Sequence, residues 1–223
     1  MAVKPFRLPE ISILIAAAIF IAGLWVFIEI ADEVREGETR SFDQRVVRWM
    51  RQPNDPSALR GPRWFHETAR DITALGDYAV LSLITFAVTG FLLLQRRYQS
   101  AFLLLSATVG GSLVSALLKA GFGRERPDLP QLVYVASSSF PSGHAMGSAV
   151  VYLTLGVLAA RLVSGAAMKT YCLGIALVMT LLVGSSRVYL GVHYPTDVLA
   201  GWSAGLVWAA LCWLVFKSVA KRS

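Results

Sequence analysis

Long apolar runs separated by short polar connections make up most of the 223-residue chain. The first run, residues 11–31 (ISILIAAAIFIAGLWVFIEIA), has only Ser12 and Glu29 as clearly polar members. It is long enough to cross a hydrocarbon core, which takes about 20 helical residues. Four more runs cover 78–94, 100–118, 145–163 and 198–216, and a sixth extends from Tyr171 to about Val183 and on through Gly184 and Ser185 towards Leu190. None alternates with the two-residue period that a closed membrane barrel requires, so each must satisfy its backbone hydrogen bonds internally, as a helix. The pattern predicts an all-α, polytopic membrane helical bundle with six transmembrane helices, forming one domain over 1–223. The first run exceeds a signal-peptide core and no small-x-small cleavage pattern follows it, so it is expected to be retained.

Residues 32–77 form the one extended polar stretch. Within it Phe42, Val46, Trp49 and Met50 recur at helical spacing behind Ser41, a good N-cap, with Arg45, Arg48 and Arg51 on the other face. Pro53 and Pro56 break the pattern, after which Trp64, Phe65, Ala69 and Ile72 predict a second short amphipathic helix. Two readings are open: helices lying in the headgroup plane, or helices capping the bundle with a solvated charged face. Gly143 with Gly147, and Gly201 with Gly205, have the spacing that lets membrane helices approach closely, a pattern that also arises by chance.

Composition supports the membrane reading: 55% of residues are hydrophobic and 16% charged, too apolar for an ordinary soluble domain. Cys172 and Cys212 each lie inside an apolar run, which excludes a disulfide framework or a cysteine zinc site. The net charge of +7 would suggest nucleic acid in a soluble protein. Here it reads instead as membrane topology, with no nucleic-acid partner. Six spans place both termini on one side, with Lys4, Arg7, Arg96, Arg97, Arg161, Lys169, Lys217, Lys221 and Arg222 against Glu10 alone. That side is expected to be cytoplasmic, in a bacterial inner membrane. The opposite side holds the remaining cations, so raw Lys and Arg counts do not favour this orientation. It is kept because the long 32–77 segment counts weakly and three outer cations have another task.

Those cations belong to three polar clusters. The first is Lys119 with Gly121, Gly123, Arg124, Arg126 and Pro127. The second is Phe140-Pro141-Ser142-Gly143-His144, and the third runs from Ser186 and Arg187 through His193 and Pro195 to Asp197. Connections after the third and fifth spans emerge on the same face of a six-helix serpentine, so all three clusters can meet. Ionisable groups at membrane depth cost roughly 2.5–3.5 kcal/mol each at mid-bilayer. A single Lys or Arg there reads as a snorkelling flank, and His66, alone in the amphipathic segment, reads as structural. Two of the three histidines with three cations and a carboxylate on one face are not explained in that way.

That set suits a phosphate. Arg and Lys neutralise phosphoryl oxygens, and Ser142-Gly143 at a helix start supplies a hydroxyl and backbone N–H groups at the positive helix end. One imidazole can attack phosphorus while the other protonates the departing oxygen. His193 and Asp197 are four residues apart, which makes His193 the better nucleophile, Asp197 its orienter and His144 the general acid. Zinc competes for two His and one Asp, but the flanking cations would repel it and no H-E-x-x-H spacing is present.

Lys119-x6-Arg126-Pro127, Pro141-Ser142-Gly143-His144 and Ser186-Arg187-x5-His193-x3-Asp197 together resemble the three-part signature of the type 2 phosphatidic acid phosphatases, the PAP2 family, with no position missing. The resemblance implies a membrane-bound lipid phosphatase in which Lys119, Arg126, Ser142, Gly143 and Arg187 bind the phosphoryl group. It implies that His193 becomes a phosphohistidine assisted by Asp197, that His144 protonates the leaving group and then activates water, and that no metal or other cofactor takes part. Arg124 falls at a variable position of the first motif and is a secondary candidate. Soluble haloperoxidase relatives use the same pocket for vanadate, but this chain is too apolar to be one of them.

The expected partners are the bilayer and a lipid phosphate or diphosphate substrate. Undecaprenyl diphosphate, phosphatidylglycerol phosphate and phosphatidic acid all fit a site at the outer ends of the helices, and the sequence does not choose among them. Two alternatives stand beside hydrolysis: a phosphotransferase on the same scaffold, and a non-catalytic lipid or anion transporter. Oligomeric state is not legible in the sequence.

Overall fold

The computed structural model describes residues 8–129 and 138–220. The charged termini used above for orientation, Lys4, Arg7, Lys221 and Arg222, lie outside the described residues. Each apolar run forms a helix, and the chain order is α1 (Leu8–Glu36), α2 (Arg40–Trp49), β1 (Arg51–Gln52), β2 (Asp55–Leu59), α3 (Arg63–Ala74), α4 (Tyr78–Leu94), α5 (Tyr98–Phe122), α6 (Gly143–Leu162), α7 (Ala166–Tyr189) and α8 (Pro195–Ala220). Five of these, α1 and α5 to α8, are each long and apolar enough to cross a membrane. The sixth expected span, α4, has 17 residues, about 25 Å of helix. It is continued by α3 through a 51° bend at Leu75–Asp77. Asp77 makes the bend possible, because its side chain caps α4 by accepting from the Ala79 N–H at 2.9 Å.

Apolar side chains cover the outside of the bundle as well as its interior. Phe86 is 77% and Leu94 87% exposed, a surface that only lipid covers without cost. The helix with most buried residues is α6, which packs between α5, α7 and α8. Trp208 Nε1 donates to Ala107 O at 2.9 Å, tying α8 to α5, and Trp202 Nε1 donates to Thr180 O at 3.1 Å, tying α8 to α7. The outermost of these helices, α1, runs antiparallel to α8. Gly23 sits against Val207, and Ala31 clusters with Phe140 and Ala200.

The first helix runs into the polar stretch, because α1 continues to Glu36 and ends at Gly37, whose φ of +80° suits glycine. Both amphipathic helices are present, but the cap of α2 is Thr39 and Ser41 lies inside the helix. Between them is a two-stranded antiparallel hairpin, β1–β2, that the sequence pattern did not predict; Pro53 and Pro56 fall around its turn. Arg51 was expected on the solvated face. It is buried instead, and its Nη2 donates to Leu190 O at 3.2 Å, capping the end of α7. Aromatic side chains of α2 and α3 remain outward, with Trp49 and Trp64 each 65% exposed, which suits the headgroup layer.

The Gly201/Gly205 spacing is used. A Cβ on Gly201 would lie 2.6 Å from Ser142 O, and one on Gly205 would lie 2.7 Å from both Ala149 Cβ and Met146 O. The small residues therefore set how closely α8 approaches the start of α6. We expect Gly201→Ala to lower the thermal midpoint in detergent by an overpacking cost of about 1–3 kcal/mol, and to lower activity by displacing Ser142. Gly90→Ala, which meets nothing within 4 Å, should leave both unchanged or raise stability slightly.

Candidate active site

All three polar clusters come to the end of the bundle where α1, α5 and α7 finish and α6 and α8 begin. Lys119 is in the last turn of α5, which stops at Gly123 in the left-handed region (φ +59°). Its side chain folds over Gly143, where a Cβ would lie 3.2 Å from Lys119 Cε, and its ammonium donates to Ser138 O at 2.8 Å. Gly143 is thus needed for close approach. Ser142 caps α6, its hydroxyl accepting from the Ala145 N–H at 3.4 Å, while its own N–H donates to Asp197 O at 2.9 Å. The leading N–H groups of α6 have no acceptor within their own helix, which makes this the positive end of the helix.

Arg187, in the last turn of α7, is buried, and its Nη1 donates to Thr73 Oγ1 of α3 at 3.0 Å. Its Nε is also buried and has no hydrogen-bond partner. His144 is in the first turn of α6, with Nε2 3.9 Å from Asp77 Oδ2. The charges of Arg187, His193, Lys119 and Arg126 all act on its ring. The side chains of Arg126, His144 and His193 therefore share one electrostatic neighbourhood, as the serpentine parity requires.

His193 lies in the turn between α7 and α8 and is buried, as is Asp197 in the first turn of α8. Nδ1 of His193 is 3.5 Å from Asp197 Oδ2 and 3.4 Å from Ser139 Oγ, and Nε2 is 3.3 Å from Arg126 Nη1. Arg126 Nη1 also donates to Val192 O at 2.6 Å. A carboxylate beside Nδ1 favours the tautomer with its proton on that nitrogen, which leaves the Nε2 lone pair on the open side. Burial pushes the His193 imidazole down to about 4; Asp197 opposes this, while Arg126 and Arg187 add to it. The ring is neutral at pH 7.

Three groups at the site, Ser139, Asp43 and Asp77, were not found from the sequence. Ser139 donates to Asp197 Oδ2, which also accepts from Tyr194 N–H at 2.8 Å. Arg124, the secondary candidate of the first motif, is turned towards two carboxylates. It pairs with Asp197 Oδ1 at 2.6 Å and with Asp43 Oδ2 at 2.7 Å. Burial opposes the charge of Arg124, and Asp197 and Asp43 outweigh that and hold its guanidinium firmly protonated. Asp77 had a sequence signal, an Asp immediately before an apolar run. Asp43 had none, because it sits among exposed charges on α2. Among the described residues, no three His, Cys, Asp or Glu side chains gather into a metal-holding group. A cleft of about 760 Å³ opens beside the site between the end of α1, α2 and the 123–129 segment, with Arg40, Arg48, Arg124 and Arg126 in its walls.

Residues 99–220 match the family model of the PAP2 superfamily. This chain belongs to the PAP2 superfamily. The PAP2 chain is 34% identical over 185 residues to phosphatidylglycerophosphatase B of Bacillus subtilis, covering 81% of this chain and 86% of the relative. It is 30% identical over 148 residues to decaprenylphosphoryl-5-phosphoribose phosphatase of Mycobacterium tuberculosis, covering 65% and 76%. Among solved structures it resembles the transmembrane PAP2-type phosphatidylglycerolphosphate phosphatase of B. subtilis, with a TM-score of 0.74, 31% identity, and 91% and 96% of the two chains covered. This PAP2 protein is an integral membrane enzyme, a hydrolase of phosphorylated lipids.

Because His193 is held below its ordinary value in the folded protein, the unfolded chain binds the extra proton first as pH falls. This stabilising contribution is full above about 6.5 and is lost as pH drops towards 4. The thermal midpoint of the wild type should therefore fall over that window, and that of His193→Gln should fall less; equal slopes in a pH series of melting curves would contradict the assignment.

Proposed function

We propose that the enzyme removes the terminal phosphate of a lipid phosphate or diphosphate through a phosphohistidine on His193, without a metal. The observation that carries this reading is the bracketing of one imidazole: Nδ1 faces the Asp197 carboxylate and Nε2 faces the Arg126 guanidinium. A phosphoryl group held by Arg126 is thereby brought to the lone pair that would attack it. Lys119, Arg187, the Ser142 hydroxyl and the N–H groups at Gly143 complete the cradle, and the unpartnered Arg187 Nε gains an acceptor when phosphate enters.

In the first step Nε2 of His193 bonds to phosphorus, the bond from phosphorus to the lipid oxygen breaks, and His144 gives that oxygen a proton. His144 carries that proton on a ring whose Nε2 lies 3.9 Å from Asp77 Oδ2, a contact that orients it. In the second step His144 takes a proton from water, the water oxygen attacks phosphorus, the N–P bond breaks, and inorganic phosphate leaves. The relatives named above act on phosphatidylglycerophosphate and decaprenylphosphoryl-5-phosphoribose by their names, and another is an undecaprenyl-diphosphatase of Sulfolobus acidocaldarius. Phosphatidylglycerol phosphate, undecaprenyl diphosphate and phosphatidic acid are accordingly the substrates to compare. The site lies at the end of the bundle opposite the first residues of α1 and the last of α8. With those ends cytoplasmic, in a bacterial inner membrane, the chemistry takes place on the extracytoplasmic face, under the cap formed by the segment between α1 and α4. The whole chain works as one domain.

His193→Ala should fold, retain its thermal midpoint within a few degrees and lose turnover, by more than the roughly 10²–10³-fold that follows removal of one transition-state donor. Phosphate release from the three lipids, measured with chelator present, checks this; near wild-type turnover by His193→Ala would refute the nucleophile. Acid-labile label from a ³²P-lipid should appear on wild type and be absent from His193→Ala. With the nucleophile neutral down to about pH 4, the acid limb of kcat/KM should lie well below the ordinary histidine range.

A further inference from the structure

Asp43 is a fully buried carboxylate on an exposed amphipathic helix, and it belongs to none of the three motifs. It accepts from Thr196 N–H at 3.2 Å and from Thr196 Oγ1 at 2.6 Å, both at the start of α8, and its Oδ2 pairs with Arg124 Nη2 at 2.7 Å. The other end of the Arg124 fork, Nη1, donates to Thr196 Oγ1 at 2.9 Å and to Asp197 Oδ1 at 2.6 Å. The guanidinium is stacked 4.5 Å over the Tyr194 ring. One planar cation thus joins a carboxylate of α2 to the carboxylate that faces His193.

A carboxylate that meets its imidazole through one oxygen still has a rotation to lose, and the grip on the other oxygen decides its plane. At Asp197, Oδ2 is shared by Ser139, Tyr194 N–H and His193, whereas Oδ1 is given to Arg124. A fork that spans two carboxylates is a property of Arg and not of Lys. Asp43 also divides the charge of Arg124, leaving Asp197 with more negative charge to set against an imidazole that becomes cationic as Nε2 bonds to phosphorus.

We propose that Asp43 and Arg124 are positioning residues for the reaction: Asp43 holds Arg124, and Arg124 holds Asp197 in the plane that orients His193. This rests on the reading of His193 as nucleophile. It makes α2, outside the membrane spans, part of the catalytic machinery by way of two buried ion pairs.

The test uses the full-length protein in detergent micelles with dioctanoyl phosphatidic acid as substrate, measuring kcat, KM and the pH dependence of kcat/KM for Asp43→Asn, Arg124→Gln and Arg124→Lys. Outer partners of a reacting group typically contribute about 10- to 100-fold. We expect Asp43→Asn and Arg124→Gln to lose kcat in that range with KM changed by less than about threefold. The groups acting on His193 are Asp197 of α8, Arg126 before the second motif, Arg187 of α7 and His144 of α6. Against that background, removing a positive charge moves the acid limb to higher pH and removing a negative charge moves it to lower pH. The limb should therefore rise in Arg124→Gln and fall in Asp43→Asn, while Arg124→Lys keeps it near wild type without restoring kcat.

Wild-type kcat in Asp43→Asn, a rise in KM alone, or a loss of kcat with the acid limb unmoved would each overturn the proposal. If Arg124→Gln does not accumulate as folded protein, Asp43→Asn decides alone. His193→Ala is run beside them: turnover in that variant refutes the nucleophile itself, whereas an inactive His193→Ala together with a normal Asp43→Asn refutes only the positioning role.

Discussion

A carboxylate without exposed surface at the mouth of a membrane bundle is tolerated only if its charge is answered on every side, and Asp197 is such a group. Arg124 answers one oxygen, while Ser139, Tyr194 N–H and His193 answer the other. These partners come from three different stretches of chain, so the packing that buries Asp197 also fixes where those stretches lie. His193 is placed as a consequence. It has little exposed surface of its own and is held by Asp197 and Ser139 on one edge and Arg126 on the other.

The helices serve that arrangement through close contacts at small residues. Without Cβ atoms on Gly201 and Gly205, α8 presses onto the first turns of α6, which brings Ser142 N–H to Asp197 O and aligns the start of one helix with the start of the other. Two helix N-termini then lie side by side with opposite tasks. In the proposed reaction the start of α6, at Ser142 and Gly143, receives the phosphoryl group, whereas the start of α8 is occupied by its own Asp197 and by Asp43 through Thr196. An anion can bind at only one of them.

Much of this was legible in the sequence, because the quantities that fix it are local or topological. Apolar run length gave the helices, and the parity of a serpentine placed Lys119, His144 and Arg187 at one end before any contact was known. The spacing of His193 and Asp197 foretold their contact. The short α4 and its continuation into α3 were less legible, since a bend at Leu75–Asp77 depends on how tightly Gly76 sits against Val183 and His144. The hairpin was missed because two prolines in a polar stretch read as an end to structure, and Arg51 was assigned to solvent because its period matched Arg45 and Arg48. Its burial follows from the end of α7, which needs a donor for Leu190 O. Asp43 and its pairing with Arg124 were hidden for a related reason: an ion pair between residues 81 positions apart leaves no periodic trace.

The distribution of charge explains why the site can be both stable and receptive. Arg124 is committed to carboxylates on both sides, so it contributes to the architecture and adds little attraction for substrate. Lys119 and Arg187 are held differently, by neutral groups: Ser138 O and Thr73 Oγ1. Neutral acceptors orient a cation without cancelling its field, which suits those two charges to the proposed phosphate cradle. The distinction lies in the type of acceptor each cation meets: Arg124 meets two carboxylates, whereas Lys119 meets a carbonyl and Arg187 a hydroxyl.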